Sequence, residues 1–173
     1  MWSRRRFLSS LAIGSAGLGL SACGFRPLYE GGEIGGVAAD LSAIVIDDPR
    51  TRLEQTVRNE LVFLFTGGSA PAAQRYRMRL DVSESVSNLV IEQVTGRPTA
   101  SSLRVRARVT LLEAGVGRRI FRETFEASAS FEQSTQRFAN ERAQLDAGRR
   151  AAREVAGRIR TRTAIAIRAD QAQ

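Results

Sequence analysis

Two stretches of this chain alternate with a period of two, and that alternation narrows the fold more than any other feature. Tyr76, Met78, Leu80 and Val82 fall on one parity, with Arg75, Arg77 and Arg79 on the other. Leu103, Val105, Ala107, Val109 and Leu111 repeat the pattern against Arg104, Arg106 and Arg108. Successive side chains of an extended chain project to opposite faces, so each stretch is a strand with one apolar and one cationic face. A sheet built from such strands buries one face only, and amphipathic helices are the usual cover for it. Thr95-Gly96-Arg97-Pro98 lies between the two stretches and reads as a turn, which makes them antiparallel neighbours. Gly115-Val116-Gly117 is a second turn. A third strand follows near 118–131, with Phe121, Phe125 and Phe131 on one parity.

The covering helices are legible as well. Leu41 to Asp47 holds Ile44-Val45-Ile46, a β-branched run ended by Asp48-Pro49, and reads as a first strand. Thr51 and Glu54 have the spacing of a capping box, and Leu53, Val57, Leu61 and Leu64 follow at helical intervals with Phe65 alongside. Gly67-Gly68 stops that helix. A long closing helix is predicted from Phe138 to Ile167, with Leu145, Ala152, Val155, Ala156, Ile159 and Thr163 as its inward stripe. The order is β-α-β-β-β-α. It predicts an α+β two-layer sandwich, two helices packed on one face of a four-stranded, mostly antiparallel sheet. The other sheet face is left open, with both Arg trios on it.

The first 22 residues read as a signal peptide. Arg4, Arg5 and Arg6 precede an uncharged run from Phe7 to Leu20, too short for a bilayer core that needs about 20 apolar residues. Leu20-Ser21-Ala22-Cys23 resembles a bacterial lipobox, in which Cys23 takes a diacylglycerol and, after cleavage, an N-acyl chain. Each buried methylene contributes about 0.8 kcal/mol, so three chains such as palmitate anchor firmly. Gly24 after the cysteine is compatible with transfer to the outer membrane. Ser3-Arg4-Arg5-Arg6-Phe7-Leu8 fits a twin-arginine export motif, and a plain Sec leader fits the same residues. The glycines at 31–32 and 35–36 make 23–38 a lipidated N-terminus and flexible tether, and 39–173 a single domain.

Composition removes most catalytic chemistry. All 26 basic residues are Arg, His is absent and Cys occurs once. No His-centred acid–base pair, Ser-His-Asp triad, Lys Schiff base or His-rich metal site can be built, and no internal disulfide can form. An enzyme would need paired carboxylates, and Asp47-Asp48, the close pair, are adjacent residues that point apart. No metal and no cofactor other than the covalent lipid on Cys23 is expected. Like charges facing across strands cost up to about 1 kcal/mol per pair. Two readings of the Arg ladders stand: solvated decoration on long stems, or a face for phosphate and carboxylate, which guanidinium binds bidentately. Nucleic acid fits the net charge of +8 but not a chain that is exported and only 6% aromatic. A phosphorylated glycolipid of the outer membrane fits both charge and address.

Cys23-Gly24-Phe25-Arg26-Pro27-Leu28-Tyr29 resembles the start of mature lipopolysaccharide-assembly lipoproteins, the LptE family, in its alphaproteobacterial branch. Phe138-Ala139, Glu141-Arg142 and Ala151-Ala152-Arg153-Glu154 are similar to the family's closing helix. The resemblance implies a lipid-anchored protein on the periplasmic side of the outer membrane. It implies a plug inside the β-barrel translocon for lipopolysaccharide, aiding assembly of that barrel and binding lipopolysaccharide through basic residues, with no covalent chemistry. By strand order, Arg75, Arg77, Arg79, Arg104, Arg106 and Arg108 are the candidates for lipopolysaccharide contact. Thr95, Gly96, Arg97 and Pro98 are the candidates for barrel contact. An accessory lipoprotein of another outer-membrane assembly or transport complex is the alternative.

Overall fold

A computed structural model describes residues 36–68, 73–93 and 96–172. The leader, the lipobox with Cys23, the run to Tyr29 and Thr95 lie outside the described residues. The elements are α1 (Val37–Ser42), β1 (Ile44–Ile46), α2 (Arg52–Thr66), β2 (Tyr76–Ile91), β3 (Pro98–Glu113), β4 (Arg119–Glu132) and α3 (Arg137–Gln171). The four strands form one sheet in the order β1-β2-β3-β4. β1 runs parallel to β2, and β2, β3 and β4 are an antiparallel meander. The predicted α+β sandwich, with its β-α-β-β-β-α core order, is the fold.

The apolar parity faces the helices. Met78, Val105, Ala107, Val109 and Leu111 are completely buried, and so are Val57 and Leu61 of α2 and Val155 and Ile159 of α3. Small residues on α3, among them Ala147, Gly148, Ala151, Ala152 and Ala156, let its backbone lie close to the sheet. At the end of α2, Gly67 takes φ 65° and its N–H donates to Phe63 O at 2.9 Å. That left-handed cap is where a side chain would be strained.

Three local expectations are corrected. The strand read from Leu41 to Asp47 is only Ile44–Ile46, because Val37–Ser42 is a helix. Val37 and Leu41, one helical turn apart, bury their side chains, and Asp40 is held by Arg75 and by Gln171 Nε2 at 2.7 Å. The capping box is half formed. Thr51 Oγ1 accepts from Glu54 N at 3.1 Å, but the Glu54 carboxylate accepts from Arg50 N at 2.6 Å rather than from Thr51. Leu145, placed on the inward stripe of α3, is 42% exposed. The reason is length. The 15 residues of α2 span about 22 Å, whereas the 16 of β2 span about 53 Å. α2 therefore ends well short of the far half of the sheet, and Leu145 looks into the gap.

Candidate anion-binding face

The ladder register decides what the arginines can do. Ala114 N donates to Arg75 O at 2.9 Å, which makes odd-numbered residues of β2 the ones bonded to β3. Their side chains stand on the open face. Asp81 lies opposite Arg108, Ser83 opposite Arg106 and Ser85 opposite Arg104, while Arg77 and Arg79 lie opposite Leu112 and Thr110. Arg77 and Arg79 thus share one face with Arg104, Arg106 and Arg108 but are offset along it, so six guanidinium groups do not converge. The offset also avoids the like-charge pairs that a facing arrangement would create.

Carboxylates are interleaved with the cations. Arg77 Nε lies 2.6 Å from Asp47 Oδ1, and Arg79 Nε lies 3.8 Å from Asp47 Oδ2. Arg108 Nη1 lies 3.3 Å from Asp81, and Arg106 Nε lies 2.7 Å from Glu126 across on β4. Arg75 sits just before β2 and is not part of the open ladder. It reaches Asp40 at 2.5 Å and stacks over Tyr76 with 5.6 Å to the ring centroid. Asp47 and Asp48 do diverge: Asp47 serves the sheet face, and Asp48 is fully exposed 3.8 Å from Arg58.

Arg104 is exposed and makes no ion pair among the described residues. Arg122, absent from the sequence-based set, stands on the same face, opposite Thr110, and is likewise unpaired among them. The signal for it was available, because Phe121 inward places residue 122 outward. These exposed pairs are individually weak, each worth up to about 1 kcal/mol in water. An incoming phosphate can therefore displace a carboxylate from Arg106 or Arg108 at small cost. In the turn, Gly96 takes φ 67° and both Gly96 and Arg97 are exposed; Pro98 already begins β3. Residues 96–98 sit at the tip of the β2–β3 hairpin, apart from the Arg77/Arg79 end of the face.

At the near edge of the face, Glu54 is buried to 2% exposure. Burial pushes its carboxyl up, but hydrogen bonds from the Arg50 side chain, Arg50 N and Val82 N, with the Arg50 charge, outweigh it and leave the group below its ordinary range. Arg50 is raised in turn, chiefly by its hydrogen bond to Glu54. At the other end Arg118 donates to both oxygens of Asp170 at 2.6 and 2.7 Å and to Glu113 at 2.9 Å. Its hydrogen bond lowers the Asp170 carboxyl, and the same contact raises Arg118. Among the described residues no three His, Cys, Asp or Glu side chains cluster as metal ligands. Nor, among them, is any helix long and apolar enough to cross a membrane.

Residues 39–163 match the family model LptE, described as lipopolysaccharide-assembly. Among solved structures, a chain from Caulobacter crescentus CB15 assigned as a lipoprotein is similar at 26% identity and TM-score 0.56, over 75% of this chain and 93% of that one. Rare lipoprotein B from Shewanella oneidensis shares the fold at 15% identity and TM-score 0.55, over 75% of this chain and 97% of the other. A minor lipoprotein from Acinetobacter baumannii shares it at 17% identity and TM-score 0.50, over 70% and 88%. No curated protein matches this chain.

Proposed function

This chain belongs to the LptE family of lipopolysaccharide-assembly proteins, and from that premise we propose that it is a lipid-anchored plug of the outer-membrane barrel that inserts lipopolysaccharide. The anchor is Cys23, and the domain lies on the periplasmic side of the outer membrane. The protein binds lipopolysaccharide and does no covalent chemistry. It takes no cofactor beyond its own acyl chains.

The observation that carries lipid binding is the open sheet face itself. Among the described residues the sheet has no second cover on this face, and it presents Arg104, Arg106, Arg108 and Arg122 on two adjacent strands. Guanidinium groups there can engage the phosphates of the glycolipid bidentately and compete with bridging divalent cations. Exchange between carboxylate and phosphate is cheap because the resident pairs are exposed. Such contacts hold the lipid loosely enough to pass it on.

The test is lipopolysaccharide binding by the purified protein after Arg104→Gln, Arg106→Gln and Arg108→Gln together. Affinity is expected to fall at least tenfold at low salt, with an unchanged thermal midpoint. Undiminished binding would leave those ladders as solvated decoration.

A further inference from the structure

The sheet has two outer edges, and they are treated differently. On β4 the even-numbered residues turn their backbone groups outward, because Gln133 N donates to Thr99 O at 2.9 Å and so fixes the odd ones as partners of β3. Two of those outward carbonyls are already taken. Arg150 Nη2 donates to Ser130 O at 3.0 Å and Arg158 Nη1 to Glu126 O at 2.5 Å, both from α3. Side chains that occupy an edge in this way block the addition of another strand.

The β2 edge is blocked only in its first half. Its even-numbered residues face outward, and β1 pairs with Tyr76 to Met78. Met78 O accepts from Asp47 N at 2.9 Å, and Val82 N donates to the Glu54 carboxylate at 3.3 Å. Beyond that point the outward N–H and C=O of Glu84 and Val86 meet no backbone partner among the described residues. The same stretch carries exposed Val86, Leu89, Val90 and Ile91, and Glu84 is its one charge. An open, β-branched edge of this kind is a template for an extended chain.

Its two sides differ in chemistry. On the helix side, where α2 falls short, a groove of about 350 Å³ opens beside Glu84, lined by Leu53, Leu103 and Leu145 and also by the charged Arg52, Glu141 and Arg149. On the open side lie Ser83 and Ser85, and behind Ser85 stands the unpaired Arg104. An added strand lies about 10 Å from β3, across two small serines, within reach of Arg104 from a long carboxylate side chain.

We propose that the β2 edge at Glu84–Val86 takes up an extended segment of a partner polypeptide as a fifth strand, with apolar side chains entering the Leu53–Leu145 groove and acidic side chains meeting Arg104. Backbone hydrogen bonds supply the register, and the alternation of apolar with acidic residues supplies the choice of partner. The site needs no lipid; it shares Arg104 with the lipopolysaccharide face, and the backbone contacts at Glu84 and Val86 are what separate the two.

The probe is a fluorescent heptapeptide alternating Val and Glu, added to the full-length protein in mild detergent, with a Val/Lys peptide and a backbone N-methylated Val/Glu peptide beside it. The Val/Glu peptide is expected to bind at least tenfold tighter than either. It should slow amide exchange at Glu84 and Val86 at least tenfold. Val86→Pro removes an outward N–H without touching the β3 ladder, and should weaken binding at least tenfold. Arg104→Glu should reverse the preference toward the Val/Lys peptide. Equal binding of the N-methylated peptide, or unslowed exchange at Glu84 and Val86 under saturating peptide, would overturn the proposal. So would slow exchange at these amides before any peptide is added: concentration-dependent protection would mean a second copy on the edge, and concentration-independent protection another part of this chain.

Discussion

Glu54 shows how one residue can serve three elements. Its backbone N–H donates to the Thr51 cap of α2, while its carboxylate holds the Arg50 loop and accepts from an outward N–H of β2. Truncation to Ala should cost about 1–3 kcal/mol, since Val82 N and Arg50 N lose a charged acceptor at a buried site; chemical denaturation measures it. Its carboxyl is depressed in the folded state, as is that of Asp170. Stability from both is therefore full above the ordinary carboxylate values near pH 4 and is lost as pH falls through the depressed ones. Acid titration of Glu54→Gln should show a shallower loss below about pH 4 than the unaltered chain. Thr163 is the opposite case: its hydroxyl is buried on α3 without a hydrogen-bond partner among the described residues. Thr163→Val should raise stability by about 1 kcal/mol, read as an increased denaturation midpoint. Sequence spacing pointed to Thr51 and Glu54 together, but not to the burial of Glu54. That burial depends on β2 passing over the start of α2, a contact 28 residues away that no local pattern encodes.

At the scale of elements, period decided most of what could be read. The alternation in β2 and β3 and the 3–4 spacing in α2 each led to the correct buried face. Leu61→Ala should cost about 2–5 kcal/mol, because the side chain is completely buried between helix and sheet; a negligible loss in a denaturation curve would contradict that packing. Gly157 interrupts α3 where a methyl group would meet nothing within 4 Å. Gly157→Ala should stabilise by about 0.5–1 kcal/mol, seen as a higher melting temperature. The offset of the Arg trios was also within reach. Folding the chain about Thr95-Gly96 already offsets the two trios, but it sets Asp81 opposite Thr110; the observed pairing of Asp81 with Arg108 is one step away and was not legible from the turn residues. Helix α1 was not legible, because six residues beside a glycine run carry too few turns for a period to emerge. The exposure of Leu145 follows from the mismatch in length between α2 and β2, a property of the pair and of neither sequence alone.

At the scale of the molecule, the described residues form a half-covered sandwich. Helices bury one sheet face, charges dress the other, and two arginines of α3 occupy one edge while, among the described residues, part of the opposite edge is left open. That asymmetry suits the contacts proposed above: lipid on the face, polypeptide at the edge, and a membrane through the Cys23 anchor. Cys23→Ala should leave an unprocessed chain absent from the outer-membrane fraction, checked by gel mobility and density-gradient fractionation; normal processing would contradict the lipobox. The most direct measurement of the central claim is to purify the tagged protein from membranes in mild detergent and identify by mass spectrometry what accompanies it. A stoichiometric outer-membrane β-barrel of the lipopolysaccharide translocon is the expected companion. Recovery of the lipoprotein alone, or with an unrelated complex, would contradict that claim.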